Sequence, residues 1–308
     1  ARVFFYMDLI QHQRMDKNFE NLKVLTRTYH QFSQQRTTAI NQLTAVIDQV
    51  MPSFANIFKS ISCKTSLELL IRYPSPKSIL SAPEKEVIEL IKNTSRGSLE
   101  YASKKYLLLL ESAREGIATG ILLEAYEHII MVHAQHLRNI DVQLDTLSKK
   151  IHELGITIPE VQLLQSIPGI GPTLAPVLAA EIGKIEKFKS SKQLVAYCGI
   201  DPSVMQSGKF LGTKNKLTKR GSIYIRKALY MAATVAIRHN PNGSYSNKVI
   251  YDYYQKKIQS KAKKQALGAI MNKLVRIIYS VLKNQQPFVL ITPEEQVRMY
   301  QRNMQIVA

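Results

Sequence analysis

A regular spacing of apolar residues near the start of the chain constrains its fold more than any other feature. Between residues 22 and 50 the apolar positions are separated alternately by three and four residues, and residues 137–154 repeat this spacing. Such spacing is typical of helices that pack along a narrow seam, and two of them predict an antiparallel coiled-coil hairpin. Two ordinary amphipathic helices against one core are the alternative. The seam positions are Leu22, Leu25, Tyr29, Phe32, Arg36, Ala39, Leu43, Val46 and Val50, then Leu137, Ile140, Leu144, Leu147, Ile151 and Leu154.

The segment between these two helices, residues 51–118, contains four prolines and predicts an insertion of short helices. Glu84, Glu86 and Glu89 lie close together in it. Because no other acidic residues converge there in sequence, we interpret these glutamates as the solvated face of a helix rather than a metal site. The short helices are predicted at about 64–72, 83–93 and 98–114.

Positive charge is concentrated in one part of the chain. The 308 residues include 42 Lys and Arg against 23 Asp and Glu, whereas residues 184–283 alone contain 21 basic and 3 acidic side chains. This asymmetry is expected where one domain faces a polyanion; a basic surface without a ligand is the alternative. The two cysteines are far apart, which excludes a disulfide framework or a zinc finger. No apolar run reaches the length of a membrane span, so we expect a cytoplasmic protein without a membrane partner.

These patterns together predict a mainly α fold. Residues 1–159 are expected to form the coiled-coil region with its helical insertion, residues 160–290 a basic helical domain, and residues 291–308 a tail. The turn-rich sequence of the basic domain also allows a short β-hairpin near residues 196–212.

A Pro-Gly-Ile-Gly sequence at residues 168–171 lies near the start of the basic domain. Gly169 and Gly171 permit a tight turn between two helices, and Pro172 suits the first turn of the second. The unit resembles a helix-hairpin-helix, in which exposed turn amides and the positive end of the second helix hold a backbone phosphate. A buried turn that uses glycine for packing alone is the alternative.

Ser207 is the candidate nucleophile, in a Gln-Ser-Gly turn with cations nearby. Such cations favour the alkoxide and offset the charge that develops on a phosphate. A serine before glycine is also an ordinary turn residue, so spacing alone leaves both interpretations open. The predicted nucleic-acid-binding residues are Gly169, Gly171, Lys209, Lys214, Lys216, Lys219, Arg220, Arg226 and Lys227.

Five motifs in this region resemble one family. The order of these motifs, their spacing and their residues are similar to those of the insertion-sequence "one-ten" transposases. This is the one-ten/one-sixteen/nine-oh-two group, which is related to site-specific DNA invertases. The resemblance extends over about residues 160–290, and the helical part before it resembles that family's coiled-coil region more loosely. The motifs are Leu-Gln-Ser-Ile-Pro-Gly-Ile-Gly at 164–171, Ala-Tyr-Cys-Gly-Ile-Asp-Pro at 196–202, Gln-Ser-Gly at 206–208, Thr-Lys-Arg-Gly-Ser at 218–222 and Arg-Lys-Ala-Leu-Tyr at 226–230.

The resemblance implies a DNA recombinase guided by a bridge RNA that pairs with target and donor DNA. It maps the family's nucleophilic serine onto Ser207, which would form a phosphoserine link and exchange strands without net hydrolysis. It further implies Mg²⁺ and a homo-oligomer, a dimer or tetramer, in which the carboxylates of one subunit's RNase H-like domain meet another's serine. Residues 1–5 resemble the helix that follows the last of those carboxylates. The metal ligands are therefore expected outside this chain, with no metal site within it.

The leading prediction is DNA transposition by serine chemistry, for the mobility of an insertion sequence in a prokaryotic cell, close to the nucleoid. The competing prediction is a non-catalytic nucleic-acid-binding protein, such as a transposase remnant or regulator. A purely structural coiled-coil scaffold comes third, because the charge of residues 184–283 counts against it.

Overall fold

Helices make up most of the described part of the chain, which confirms the predicted mainly α fold. The computed structural model describes residues 17–121, 123–203, 206–207, 210–211, 217–291, 295, 297–298 and 301–302, with the backbone alone at 206–207 and 210–211. No helix among these residues is both long and apolar enough to cross a membrane.

Two long helices frame the first half of the chain: α1 (Lys17–Val50) and, after the insertion, α6 (Glu124–Ile156). The three helices predicted within the insertion are present, and their observed ends differ from the predicted ends by a few residues at most. A capping box of Ser75 and Ser78 begins a further short helix there. The insertion consists of a 3-10 helix (Pro52–Asn56), α2 (Lys64–Arg72), α3 (Pro76–Ser81), α4 (Glu84–Ser95) and α5 (Leu99–Ala118).

The second half of the chain is a set of shorter helices with one small β-hairpin. The two strands pair antiparallel, with Gln206 opposite Leu211 and Ser207 opposite Phe210. This hairpin lies within the predicted region, residues 196–212. The elements are α7 (Pro159–Gln165), α8 (Leu174–Ile182), a 3-10 helix (Ile185–Lys187), α9 (Ser191–Tyr197), β1 (Gln206–Ser207), β2 (Phe210–Leu211), α10 (Ile223–Ala236), α11 (Lys248–Ile258) and α12 (Lys263–Asn284).

Contacts divide the chain into two compact units. The first contains residues 1–27 and 149–308, and the second contains residues 28–148. Both long helices contribute residues to both units. The division therefore differs from the boundary between residues 159 and 160 that the sequence patterns predict.

Within the second unit, side-chain pairs show the relative direction of α1 and α6. Arg36 donates to Asp141, with Nε 2.5 Å from Oδ1 and Nη2 3.3 Å from Oδ2. The Tyr126 hydroxyl donates to Gln49 Oε1 at 2.9 Å. Later residues of α1 thus pair with earlier residues of α6, so the two helices run antiparallel in this unit.

The buried positions of α1 depart from the predicted seam near its end. Ile47 is fully buried, whereas the predicted seam residue Val46 is only half-buried. A straight helix with 3.6 residues per turn drifts from a strict seven-residue repeat, and here α1 shares one apolar core with the inserted helices. Coiled-coil packing of α1 on α6 stays a prediction.

The basic half of the chain is organised around α12. Its apolar face, from Ala266 to Leu282, is buried and contacts α7, α9, α10 and α11. The helix ends at Asn284, before a left-handed Gln285. This helix therefore packs against the other helices of the basic half through its apolar face, and its Arg276 and Lys283 are exposed.

Candidate nucleic-acid interface and serine loop

The segment that contains Ser207 leaves α9 and returns to α10; we call residues 198–222 the serine loop. Its two ends lie side by side. The Lys219 N–H donates to the Gly199 carbonyl and the Thr218 N–H donates to the Asp201 carbonyl, both at 3.0 Å. The Thr218 hydroxyl also donates to the Asp201 carboxylate at 2.6 Å. These bonds close the loop at a neck, formed by residues 199–201 and 218–221.

Two glycines allow the backbone to cross at this neck. Gly199 has φ of 64°, and a Cβ added there would lie 2.6 Å from the Gly221 nitrogen. A Cβ added to Gly221 would lie only 1.9 Å from the Tyr197 carbonyl oxygen. A side chain at either position would displace backbone, which side-chain rotation cannot relieve. Glycine in both motifs is therefore explained by the close approach of the two strands of chain.

A buried carboxylate connects both ends of the serine loop. Glu181 of α8 is 1% exposed, and Arg27 of α1 donates to its two carboxylate oxygens at 2.7 and 3.0 Å. The Ser222 side chain, which caps α10, also hydrogen-bonds the Glu181 carboxylate. At the other end of the loop, the Tyr197 hydroxyl donates to the backbone carbonyl of Glu181 at 3.0 Å. Glu181 thus contacts Tyr197, which directly precedes the serine loop, and Ser222, which is its last residue.

The electrostatics of this cluster keep Glu181 ionised. Burial disfavours the charged carboxylate, but hydrogen bonds from Arg27 and Ser222 outweigh it, so the pKa of Glu181 lies below its ordinary value. Burial, followed by the negative charge of Glu181, raises the pKa of Tyr197. The Arg27 guanidinium also lies 4.9 Å from the centre of the Tyr224 ring. Glu181 at neutral pH is therefore a fixed negative charge that positions its neighbours, without a proton to donate.

The Glu181 cluster is not among the sites that the sequence motifs predict. A signal was present, because Glu181 is the one charged residue in the otherwise apolar α8. A charged side chain among apolar ones is rarely buried without a partner. The partner itself was not predictable, since Arg27 is 154 residues away in the sequence.

The predicted catalytic residue is described only by its backbone. Ser207 lies in β1, opposite Phe210 of β2. Its side chain lies outside the described residues, as do Lys209, Lys214 and Lys216. The structure therefore brings the Ser207 backbone to a hairpin beyond the closed neck, and the role of this serine stays a prediction.

The other predicted binding cations are described, and they differ in their contacts. Lys219 and Arg220 are exposed on the neck, and Lys219 has φ of 55°. Arg226 is half-buried and donates to the Gly221 carbonyl, so it holds the neck from α10. Lys227 is half-buried on the same helix. Lys219 and Arg220 are therefore the most accessible of the four to a ligand.

The two glycines predicted to contact phosphate have different surroundings. Gly169 has φ of 104°, and a Cβ there would lie 2.9 Å from the Ala232 carbonyl oxygen of α10. Gly171 is exposed, with open space where its Cβ would be. The second helix begins at Leu174 rather than at Pro172, because residues 171–173 form a turn in which Gly171 accepts from the Leu174 N–H. Packing explains Gly169, and phosphate binding at Gly171 stays a prediction.

The described residues do not fit a magnesium site. No three His, Cys, Asp or Glu side chains converge within the part of the chain that the structure describes. Divalent magnesium is held by oxygen ligands, principally carboxylates and water.

Comparison with known proteins identifies the matched region. Residues 161–247 match the family model described as Transposase IS116/IS110/IS902 family. The chain is 31% identical over 159 residues to the pilin gene-inverting protein of Moraxella bovis, which covers 50% of this chain and 47% of that protein. It is 21% identical over 276 residues to the insertion element IS116 uncharacterized 44.8 kDa protein of Streptomyces clavuligerus, covering 89% and 66%.

A third relative is the transposase for insertion sequence element IS1111A of Coxiella burnetii, 28% identical over 155 residues, with coverage of 49% of this chain and 41% of that protein. The chain spans about half to two thirds of the length of the first relatives. The matched residues include the neck, the serine loop and α10. Residues 161–247 are therefore similar to the IS116/IS110/IS902 transposase family, and the relatives of the chain include an insertion-sequence transposase and a gene-inverting protein.

Proposed function

We propose that this chain is part of a DNA recombinase that moves an insertion sequence and uses Ser207 as its nucleophile. The observation that carries the proposal is the closed neck, which presents the Gln-Ser-Gly hairpin from within the matched transposase domain. A reacting group must be held in a defined position to gain from proximity. The crossing at Gly199 and Gly221, tied to the buried Glu181, supplies such a support.

The proposed reaction conserves phosphodiester bonds. The Ser207 hydroxyl loses its proton as its oxygen attacks the phosphorus of a DNA backbone phosphate, a P–O bond of the backbone breaks, and the departing sugar oxygen takes up a proton. A hydroxyl of the partner strand then loses its proton as it attacks the phosphoserine, and the serine oxygen leaves and takes up a proton. The exposed Lys219 and Arg220 are close in sequence to the hairpin and would offset negative charge on the phosphate.

The names of the relatives agree with this class of reaction. One relative is a pilin gene-inverting protein and another is a transposase for an insertion sequence element. Inversion and transposition both require DNA strands to be cut and rejoined. We extend the proposal to a guide RNA, since residues 184–283 have the charge to bind more than one nucleic-acid strand, and to a homo-oligomer, which the resemblance to the family implies.

A recombination assay in cells tests this proposal. The complete protein, as its gene encodes it, is supplied with a reporter plasmid that bears the ends of its own element. Ser207→Ala should abolish recombinant product, whereas the matched control Ser203→Ala, in the same loop, should retain it. Recombination by Ser207→Ala at the wild-type level would remove the serine mechanism.

A second candidate function is nucleic-acid binding without catalysis. The observation that favours it is the charge of residues 184–283, with 21 basic and 3 acidic side chains. The same assay separates the two functions. A wild-type protein that binds DNA tightly and yields no recombinant product with its own element ends would support this second candidate.

A further inference from the structure

Two lysines converge on one tyrosine at the corner between α11 and α12. The Lys257 ammonium lies 5.1 Å from the centre of the Tyr253 ring, and the Lys273 ammonium lies 4.6 Å from it. Because both distances share the ring centre, the two ammonium groups are within about 10 Å of each other. Lys257 belongs to α11 and Lys273 to α12, so Tyr253 fixes cations from two helices.

Neither of these two lysines forms an ion pair with a carboxylate among the residues that the structure describes. None of the ion pairs between described residues involves Lys257 or Lys273. The sequence contains no Asp or Glu from residue 253 to residue 293. The same stretch contains eight Lys and Arg, and five of the lysines fall within residues 256–264. Like charges that converge in this way repel one another unless an anion lies between them.

Lys248, five residues before Tyr253 on α11, shows the contrasting arrangement. Its ammonium lies 2.5 Å from the Asp252 carboxylate, and it is also near the rings of Tyr245 and Tyr251. Aromatic contact alone therefore does not distinguish Lys248 from the pair of lysines at Tyr253. Lys248 is neutralised by Asp252, whereas Lys257 and Lys273 have no ion-pair partner in the described part of the chain.

We propose that the α11–α12 corner, defined by Tyr253, Lys256, Lys257, Lys261 and Lys273, is a binding surface for the phosphate backbone of a nucleic acid. Tyr253 holds two of the ammonium groups in place, so less side-chain freedom is lost when they contact phosphate. Lys256 and Lys261 are exposed and close to Lys257 in sequence, so they add positive charge to the corner. A group of several cations fits a polyanion better than a single free phosphate.

This surface is separate in sequence from the serine loop and from the Pro-Gly-Ile-Gly turn. It does not depend on the serine chemistry, because a chain that binds without recombining would use it equally. A recombinase must hold more than one strand or duplex at a time. A second backbone-binding surface on the same domain supplies that capacity.

The experiment measures binding of the 308-residue chain to labelled duplex DNA and to duplex RNA of equal length, at several salt concentrations. The first variant, Tyr253→Leu, changes no charge and removes the ring on which the lysines rest. Tyr253→Phe keeps that ring. A double variant, Lys257→Gln with Lys273→Gln, removes the two charges, and Lys248→Gln together with Asp252→Asn is the matched control within α11. Thermal unfolding followed by circular dichroism verifies that each variant folds.

The proposal predicts that Tyr253→Leu weakens binding about threefold to tenfold at low salt, while Tyr253→Phe binds like wild type. The double lysine variant should lower the slope of log affinity against log salt by about 1.8 on duplex DNA, two contacts at about 0.9 each. A loss of binding to RNA alone would identify structured RNA as the ligand. A loss of binding to both nucleic acids would show that the surface binds the phosphate backbone of either one. Binding by the double lysine variant equal to that of the paired control, on both nucleic acids, would overturn the proposal.

Discussion

Two arginine–carboxylate pairs show how burial changes the contribution of the same kind of contact to stability. Arg27 pairs with Glu181, whose side chain is 1% exposed, and Arg36 pairs with Asp141, whose side chain is 36% exposed. Both are two-point contacts at similar distances. Loss of the arginine leaves a buried charge in the first case and a hydrated one in the second.

Arg27→Gln should therefore destabilise the chain more than Arg36→Gln. We expect about 2 kcal/mol for the first, since the solvent-exposed side of Arg27 reduces the cost of breaking a buried pair, and less than about 1 kcal/mol for the second. Urea unfolding of the two variants measures the difference. Equal losses would show that Glu181 is hydrated in solution.

The lowered pKa of Glu181 has a consequence for stability against pH. A carboxyl group with a depressed folded-state pKa contributes stability that is present above its unfolded pKa and lost as pH falls through the folded value. Glu181→Gln removes this contribution. The stability difference between wild type and Glu181→Gln should thus be largest at pH 7 and shrink toward pH 3. A difference that stays constant over this range, measured by urea unfolding, would contradict the assignment.

At the scale of elements, glycines of the serine loop and of the Pro-Gly-Ile-Gly turn have separate roles. Gly221→Ala should lower the melting temperature by several degrees, because its Cβ would lie 1.9 Å from the Tyr197 carbonyl oxygen. Gly171→Ala has open space and should fold like wild type. Differential scanning calorimetry tests both. A normal melting temperature for Gly221→Ala would mean that the neck does not close in solution.

The long helices allow a test of the seam. Leu43 is fully buried on α1, whereas Val142 of α6 is 61% exposed. Leu43→Asp places a charge in the apolar core and should destabilise the chain by several kcal/mol. Val142→Asp, the control, should change stability by about 0.5 kcal/mol or less. Similar unfolding midpoints for the two variants would show that this part of α1 is solvated.

Local signals predicted the helices well, and the contacts between distant elements were not predictable. The apolar repeats and the prolines predict α1, α6 and the insertion because helix formation depends on neighbours three and four residues apart. The Glu181 cluster and the neck depend on residues that meet only after folding. The shift from Val46 to Ile47 has the same origin, since the core that the inserted helices share with α1 decides which face of the helix is buried.

At the scale of the whole molecule, positive charge is distributed unevenly along the chain. Residues 184–283 hold most of the excess positive charge, and the same region contains the serine loop and the α11–α12 corner. The acidic and basic residues of the first 183 positions nearly balance. The proposed nucleic-acid contacts therefore lie in the part of the chain that holds the excess positive charge and overlaps the family-matched residues 161–247.

The most direct test of the central claim is to trap the covalent protein–DNA product and map the attached residue. The complete protein is incubated with its own element ends and magnesium, the reaction is stopped with denaturant, and the adduct is digested and sequenced by mass spectrometry. The account predicts a phosphodiester link on Ser207, and no adduct from Ser207→Ala although this variant folds and binds DNA. An adduct on Ser203, or on a tyrosine such as Tyr224, would contradict it.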